Sequence, residues 1–221
     1  VGLGIAAVVA YGNATSSAQL AALHPESGGT YVHGRERLGP FWGYLAGWGF
    51  VVGKTASCAA MALTFGAYVD PDVQRPLAVA AVVALTGVNL RGVQKTALVT
   101  RAIVAVVLAV LAAVVAASLA GGQASTDQLG PVLAGGWDGI LESAGLLFFA
   151  FAGYARIATL GEEVRDPART IPRAVPLALG ITLAVYAAVA AAALLAVGPG
   201  ALAESRAPLA TAVGAGSLDW L

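Results

Sequence analysis

Six apolar stretches, roughly 1–23, 41–69, 77–90, 102–120, 139–160 and 174–197, fill most of this 221-residue chain. A helix needs about 20 mostly apolar residues to cross the hydrocarbon core of a bilayer. Five of the stretches have nearly that length or more, and the third can extend into 92–98. In lipid only helices and closed barrels satisfy every backbone polar group. The runs are continuous, without the period-two alternation of a barrel strand. Alanine and leucine dominate them, and both favour helix. The expected class is therefore an all-α polytopic membrane protein. Charged residues make up 11% of the chain, against about 25% in an ordinary soluble domain. Too few charges are present to cover a water-facing surface. The reading is a single transmembrane domain over 1–221, with no soluble domain. Val1 lies inside one apolar run and another begins at Pro208, so the domain is expected to be incomplete at both ends.

Composition also sets exclusions. The formal net charge is zero, which gives no global signal for nucleic acid. Cys58 is the single cysteine, and His24 and His33 are the only histidines. An internal disulfide is impossible, and neither a cysteine cluster nor a His-rich metal centre can form. No metal and no cofactor is expected. No Ser–His–Asp set, HExxH motif or paired-carboxylate cleft is present, so the chain does not read as an enzyme.

The loops carry an orientation signal. Arg35, Arg37, Arg91, Lys95, Arg101, Arg165, Arg169 and Arg173 follow spans one, three and five, whereas the other loops and the tail hold only Arg75 and Arg206. Eight basic residues against two place the first set in the cytoplasm under the positive-inside rule. The fifth span then descends from outside to inside. The chain is expected to be a multi-pass protein of the cell membrane.

Chemistry concentrates in the fifth span. Phe149-Ala150-Phe151-Ala152-Gly153 sits near its middle. Small residues there permit close approach of another backbone, and Gly153 lowers the cost of leaving helical geometry. Two readings stand on the residues alone. One is a discontinuous helix, whose freed amides and carbonyls bind a zwitterionic solute while Phe149 closes over it. The other is an ordinary packed helix with a small-residue interface.

Lys54 lies near the centre of 41–69, where a charge costs at least about 2.5 kcal/mol. It is either a coupling group facing a polar cavity or half of a structural ion pair. Glu142 and Arg156 are fourteen residues apart, about 21 Å along a straight helix. They cannot pair, and each reaches an interface. The segment 161–173 mixes both signs of charge with Pro167 and Pro172. Asp166 before Pro167 is a helix start signal, and Thr170 with Pro172 offers a second. Glu162, Glu163, Arg165 and Arg169 are either a capped re-entry into the membrane or an inner gate whose ion pairs exchange.

These residues resemble a known group. Pro25 to Gly39, reading PESGGTYVHGRERLG and followed by Gly47-Trp48, looks like the segment after the second helix of amino acid permeases of the amino acid–polyamine–organocation superfamily. Gly87 to Val93 is similar to their fourth-to-fifth helix junction. Phe148 to Tyr154 and Glu162 to Arg173 resemble their sixth helix and the loop behind it. The matches run in register from Val1 to about Pro199. The resemblance implies helices two to seven of a roughly twelve-helix transporter, part of a leucine-transporter-like bundle with a five-plus-five inverted repeat. It favours the broken-helix reading and places Phe149 at an aromatic gate. Two departures stand out: Ala155 replaces an acidic residue of several relatives, and the stretch near Val106 lacks the lysine of proton-coupled ones.

The function expected is secondary active transport of an amino acid or amine by alternating access, with the proton as candidate coupling ion. A sensor or binding subunit that keeps the fold is the alternative. A channel fits less well, because it would need a ring of like polar groups about an axis.

Overall fold

The computed structural model describes residues 1–23, 29–90, 96–120, 124–129, 135–153 and 166–216. Among these residues the regular structure is entirely helical. The helices are α1 (Gly2–Leu23), α2 (Thr30–Leu38), α3 (Pro40–Val69), α4 (Gln74–Leu90), α5 (Thr96–Ala120), α6 (Gly136–Phe151), α7 (Pro167–Glu204) and α8 (Pro208–Gly214). Two single 3-10 turns, Pro71–Val73 and Thr126–Gln128, join them. The helices Pro40–Val69, Arg101–Ala120 and Ala168–Glu204 are long and apolar enough to cross a membrane. Ile103, Val104, Val106, Val107 and Val110 of α5 are all at least half exposed or nearly so. A contiguous aliphatic face of this kind has no place in water.

The chain forms two compact units, Val1–Gly53 with Pro131–Ala187, and Lys54–Gly130 with Ala188–Leu221. In the first unit α1 supplies a ridge of alanines, Ala6, Ala10, Ala14, Ala18 and Ala21, each no more than 2% exposed. Their spacing of three and four residues puts them on one face. Phe151, Ile171, Val175 and Leu179 pack into the same core, with Phe148 and Tyr186 at its edge. Small side chains let α6 approach α1 closely. Gly2 has no room for a side chain, because a Cβ there would overlap the Ser143 hydroxyl of α6.

The polar residues Thr30–Leu38 form helix α2. It starts after Gly29 (φ 52°) and ends at Gly39 (φ 100°). Both values suit glycine and strain other residues. The helix lies on two glycines of α3. A Cβ on Gly43 would stand 2.6 Å from Arg35 Cβ, and one on Gly47 would stand 3.1 Å from the Tyr31 ring. Tyr31 and Arg35 are one turn apart, as are Gly43 and Gly47, so two short ridges meet two notches.

In the second unit Asp70 caps the turn between α3 and α4, its Oδ1 accepting from the Asp72 amide at 3.0 Å. The Gln74 side-chain Nε2 donates to the Leu63 carbonyl at 3.0 Å. Gly66 sits against the Gln74 backbone without space for a Cβ.

Helix α7 takes the first of the two start signals, at Pro167, and runs beyond residues 174–197 to Glu204, with a non-helical residue, Gly198 (φ 77°, ψ 166°). Proline 167 suits a first helical position, where its missing amide hydrogen has no partner to lose. Arg169 and Thr170 amides donate to the Asp166 carbonyl at 3.1 and 2.9 Å, which sets the start of the helix. At the kink, Pro199 has no N–H to give the Leu195 carbonyl. That carbonyl instead accepts from the Ser125 amide at 3.1 Å. The Ala196 carbonyl accepts from Gln128 Nε2 at 3.3 Å. The 3-10 turn over Thr126–Gln128 thus satisfies the groups that the kink releases. Beyond it, the Leu209 amide of α8 donates to the Tyr68 hydroxyl at 3.1 Å, and Ala212 and Val213 are buried.

Candidate functional site

Helix α6 carries the residues singled out in the fifth span. Its regular part ends at Phe151, and Ala152 and Gly153 form a turn. The Ala152 amide donates to the Phe149 carbonyl at 3.2 Å, a tightened last turn. Helix ends leave up to four carbonyls without an intrahelical partner. One of them, the Ala150 carbonyl, accepts from the Tyr186 hydroxyl of α7 at 3.1 Å. The Phe151 ring is 3% exposed. It lies 5.3 Å from the Tyr186 ring at an interplanar angle of 54°, a tilted pair that adds to area burial. Tyr186 therefore grips the end of α6 twice, through its ring and through its hydroxyl.

Beside this contact is a cavity of about 300 Å³. Ala150, Phe151 and Gly153 line it on one side. On the other side are Val175, Ala178, Thr182 and Tyr186 of α7. The α7 residues recur at three- and four-residue intervals and share one face. A Cβ built on Gly153 meets nothing within 4 Å, so the wall is open at that point. Phe149 is 61% exposed, and neither it nor Ala152 lines the cavity. Five consecutive helical residues cannot share a face, since each step turns about 100°.

The other candidates lie elsewhere. Lys54 is half-buried on α3. Arg169 Nε stands 3.9 Å from Asp166 Oδ2, with the two side chains 79% and 59% exposed. Such a pair adds little to stability. Glu162, Glu163 and Arg165 fall outside the described residues, as do Arg91, Lys95 and Arg156. Among the described residues no group of three or more His, Cys, Asp or Glu side chains could hold a metal ion.

Beyond Arg169 in its first turn, sequence reasoning assigned no role to α7, although a signal was present. Thr182 and Tyr186 are the only side chains with a hydroxyl or amide in the run 174–197, and they are four residues apart.

The model of the amino acid permease family matches residues 1–221, the whole chain. The chain belongs to the amino acid permease family. It is similar to a protein of Mycobacterium tuberculosis named as an uncharacterized transporter, at 67% identity over all of this chain and 50% of that protein. It is 25% identical to cationic amino acid transporter 5 of Arabidopsis thaliana over 67% of this chain and 29% of that protein. A branched-chain amino acid permease of Bacillus subtilis is 21% identical over 76% of this chain and 41% of its own length. The chain spans about half the length of the mycobacterial relatives it matches. No solved structure matches. Family and helices together make this a multi-pass, all-α membrane protein.

Proposed function

We propose that the chain forms part of a secondary active transporter that moves amino acids across the cell membrane by alternating access. The observation that carries this reading is the end of α6 at Phe151, beside an open cavity, in a chain matched throughout by the permease family. A helix end inside a membrane presents backbone groups that hydrocarbon cannot satisfy, and a ligand can. Carbonyls at the last turn of α6 suit the ammonium group of an amino acid. Phe149, Ala150, Phe151, Ala152 and Gly153 are the proposed substrate-binding segment, with Phe149 closing over the bound solute.

Lys54 is the proposed coupling group, with the proton as the ion. It is the one cation near the middle of α3, and its protonation would accompany substrate binding. Glu162, Glu163, Arg165 and Arg169 are the proposed inner gate, in which acids and arginines exchange partners as α6 and α7 move. The leucine-transporter-like inverted repeat supplies the rocking motion such a cycle needs.

The test is uptake of a panel of labelled amino acids by the complete protein in liposomes, with and without an imposed proton gradient. Saturable uptake of at least one amino acid, driven uphill by the gradient, is the expected result. Absence of uptake for every amino acid, with the protein folded and inserted, contradicts the proposal.

A further inference from the structure

The corner between α2 and α3 is ordered by depth. Helix α3 has 30 residues, about 45 Å at 1.5 Å per residue. That length matches a bilayer with both headgroup layers, about 40–45 Å. The first turns of α3 therefore lie at one headgroup layer, and α2 precedes them. Phe41, Tyr44, Leu45, Trp48, Val51 and Val52 share one broad face of α3, and each is at least 43% exposed. The aromatic rings come first and the valines follow at greater depth. Ahead of them, on α2, stand two exposed cations, Arg35 and Arg37. Arg35 packs at Gly43, one residue before Tyr44. Its Nη1 donates to the Tyr31 hydroxyl at 3.5 Å. Tyr31, Val32, Arg35 and Glu36 line a notch of about 110 Å³, well below the size of a small-molecule pocket.

A phospholipid has the same order along its length: a phosphate, then a glycerol and its esters, then acyl chains. Arginine recognises phosphate by charge-assisted hydrogen bonds. Tryptophan and tyrosine favour the headgroup level. Valine meets acyl chains without losing any polar contact. We propose that the α2–α3 corner is a binding site for an anionic phospholipid, with the headgroup at Arg35 and the acyl chains along the exposed face of α3. Arg37 adds to the local positive charge, and Glu36 offsets one of the two cations. One net cation near a charged membrane surface is worth about fivefold in binding. The site is independent of what the protein transports.

The experiment uses the complete protein in bilayers of phosphatidylcholine and phosphatidylglycerol, with Trp48 kept as its sole tryptophan and the others replaced by phenylalanine. Quenching of Trp48 by brominated forms of each lipid reports which one lies against the face. The expected result is a preference of about fivefold for phosphatidylglycerol. Arg35→Gln should bring that preference close to one, and Arg35→Lys should keep it. Arg206→Gln, in the other compact unit, should leave it unchanged. Native mass spectrometry on the complete protein with its tryptophans intact, equilibrated with equal amounts of the two lipids, makes the same comparison between the parent and Arg35→Gln. Equal quenching by the two lipids in the parent overturns the proposal, as does a preference that survives both Arg35→Gln and Arg37→Gln. If neither lipid quenches Trp48, protein covers the face, either the remainder of the chain or a second copy, and the proposal falls as well.

Discussion

Replacing Tyr186 with phenylalanine deletes one oxygen atom and keeps the ring. The lost group donates to the Ala150 carbonyl at 3.1 Å. The ring contact with Phe151, at 5.3 Å between centroids, is retained. A net hydrogen bond is worth about 0.5–1.5 kcal/mol in proteins, and between membrane helices the average is about 0.6 kcal/mol. The expected loss is therefore about 0.6–1.5 kcal/mol, felt mainly where α6 ends. Because 1.4 kcal/mol is a factor of about ten, amide exchange in the segment 149–153 should quicken about three- to tenfold. Hydrogen exchange read by mass spectrometry on the complete protein in nanodiscs measures this directly. Tyr186→Ala is the companion variant. It also removes the half-buried ring, and roughly 2 kcal/mol more should be lost, scaled from the larger cost at fully buried aromatic positions. If Tyr186→Phe leaves exchange in 149–153 at the parent rate while Tyr186→Ala raises it, the hydroxyl contributes nothing and the ring alone holds the helix end. If neither variant changes exchange there, Tyr186 does not hold α6 and the account of the site is wrong.

Three further outcomes are expected. Gly198→Ala should lower thermal stability by about 1–3 kcal/mol, since φ 77° and ψ 166° fall in a region essentially reserved for glycine; unchanged melting would mean that α7 straightens there at no cost. Gly43→Ala brings a methyl within 2.6 Å of Arg35 Cβ and should cost about 1–3 kcal/mol, with α2 becoming more open to protease, whereas parental proteolysis rates would show that α2 does not depend on this notch. Lys54→Met should still exchange substrate across the membrane but lose accumulation driven by a proton gradient, and a variant that keeps gradient-driven accumulation at the parent level removes Lys54 from the coupling step.

The helical class of the chain was legible because apolar runs of membrane length admit few alternatives. Helix α2 was not. Thr30–Leu38 is polar and short, so it carries no apolar periodicity, and its support comes from Gly43 and Gly47 near the start of the next helix. The start of α7 was legible as one of two signals. Asp166 before Pro167 and Thr170 with Pro172 both read as helix starts; the helix takes the first and runs through Pro172, where Ile171, Val175 and Leu179 join the same buried cluster as the alanines of α1. Burial of those side chains offsets the hydrogen bond that proline omits. At the site, the motif Phe149–Gly153 marked the right end of α6, but a motif is linear and a cavity is not. Only the fold could tell that Ala150, Phe151 and Gly153 face Thr182 and Tyr186 while Phe149 does not line the cavity.

The central claim is that substrate binds where α6 ends, and a single accessible thiol can test it. Gly153 has open space at its Cβ position, so Gly153→Cys is sterically tolerated. Cys58, the one cysteine of these 221 residues and an exposed one, is first replaced by serine, together with any cysteine elsewhere in the complete protein. The rate at which a small thiol reagent modifies Cys at position 153 is then followed against rising concentrations of a transported amino acid. The account predicts protection that saturates, with a midpoint matching the KM for uptake of the same amino acid by the same variant. Modification at an unchanged rate, at ten times that KM, would place the substrate elsewhere.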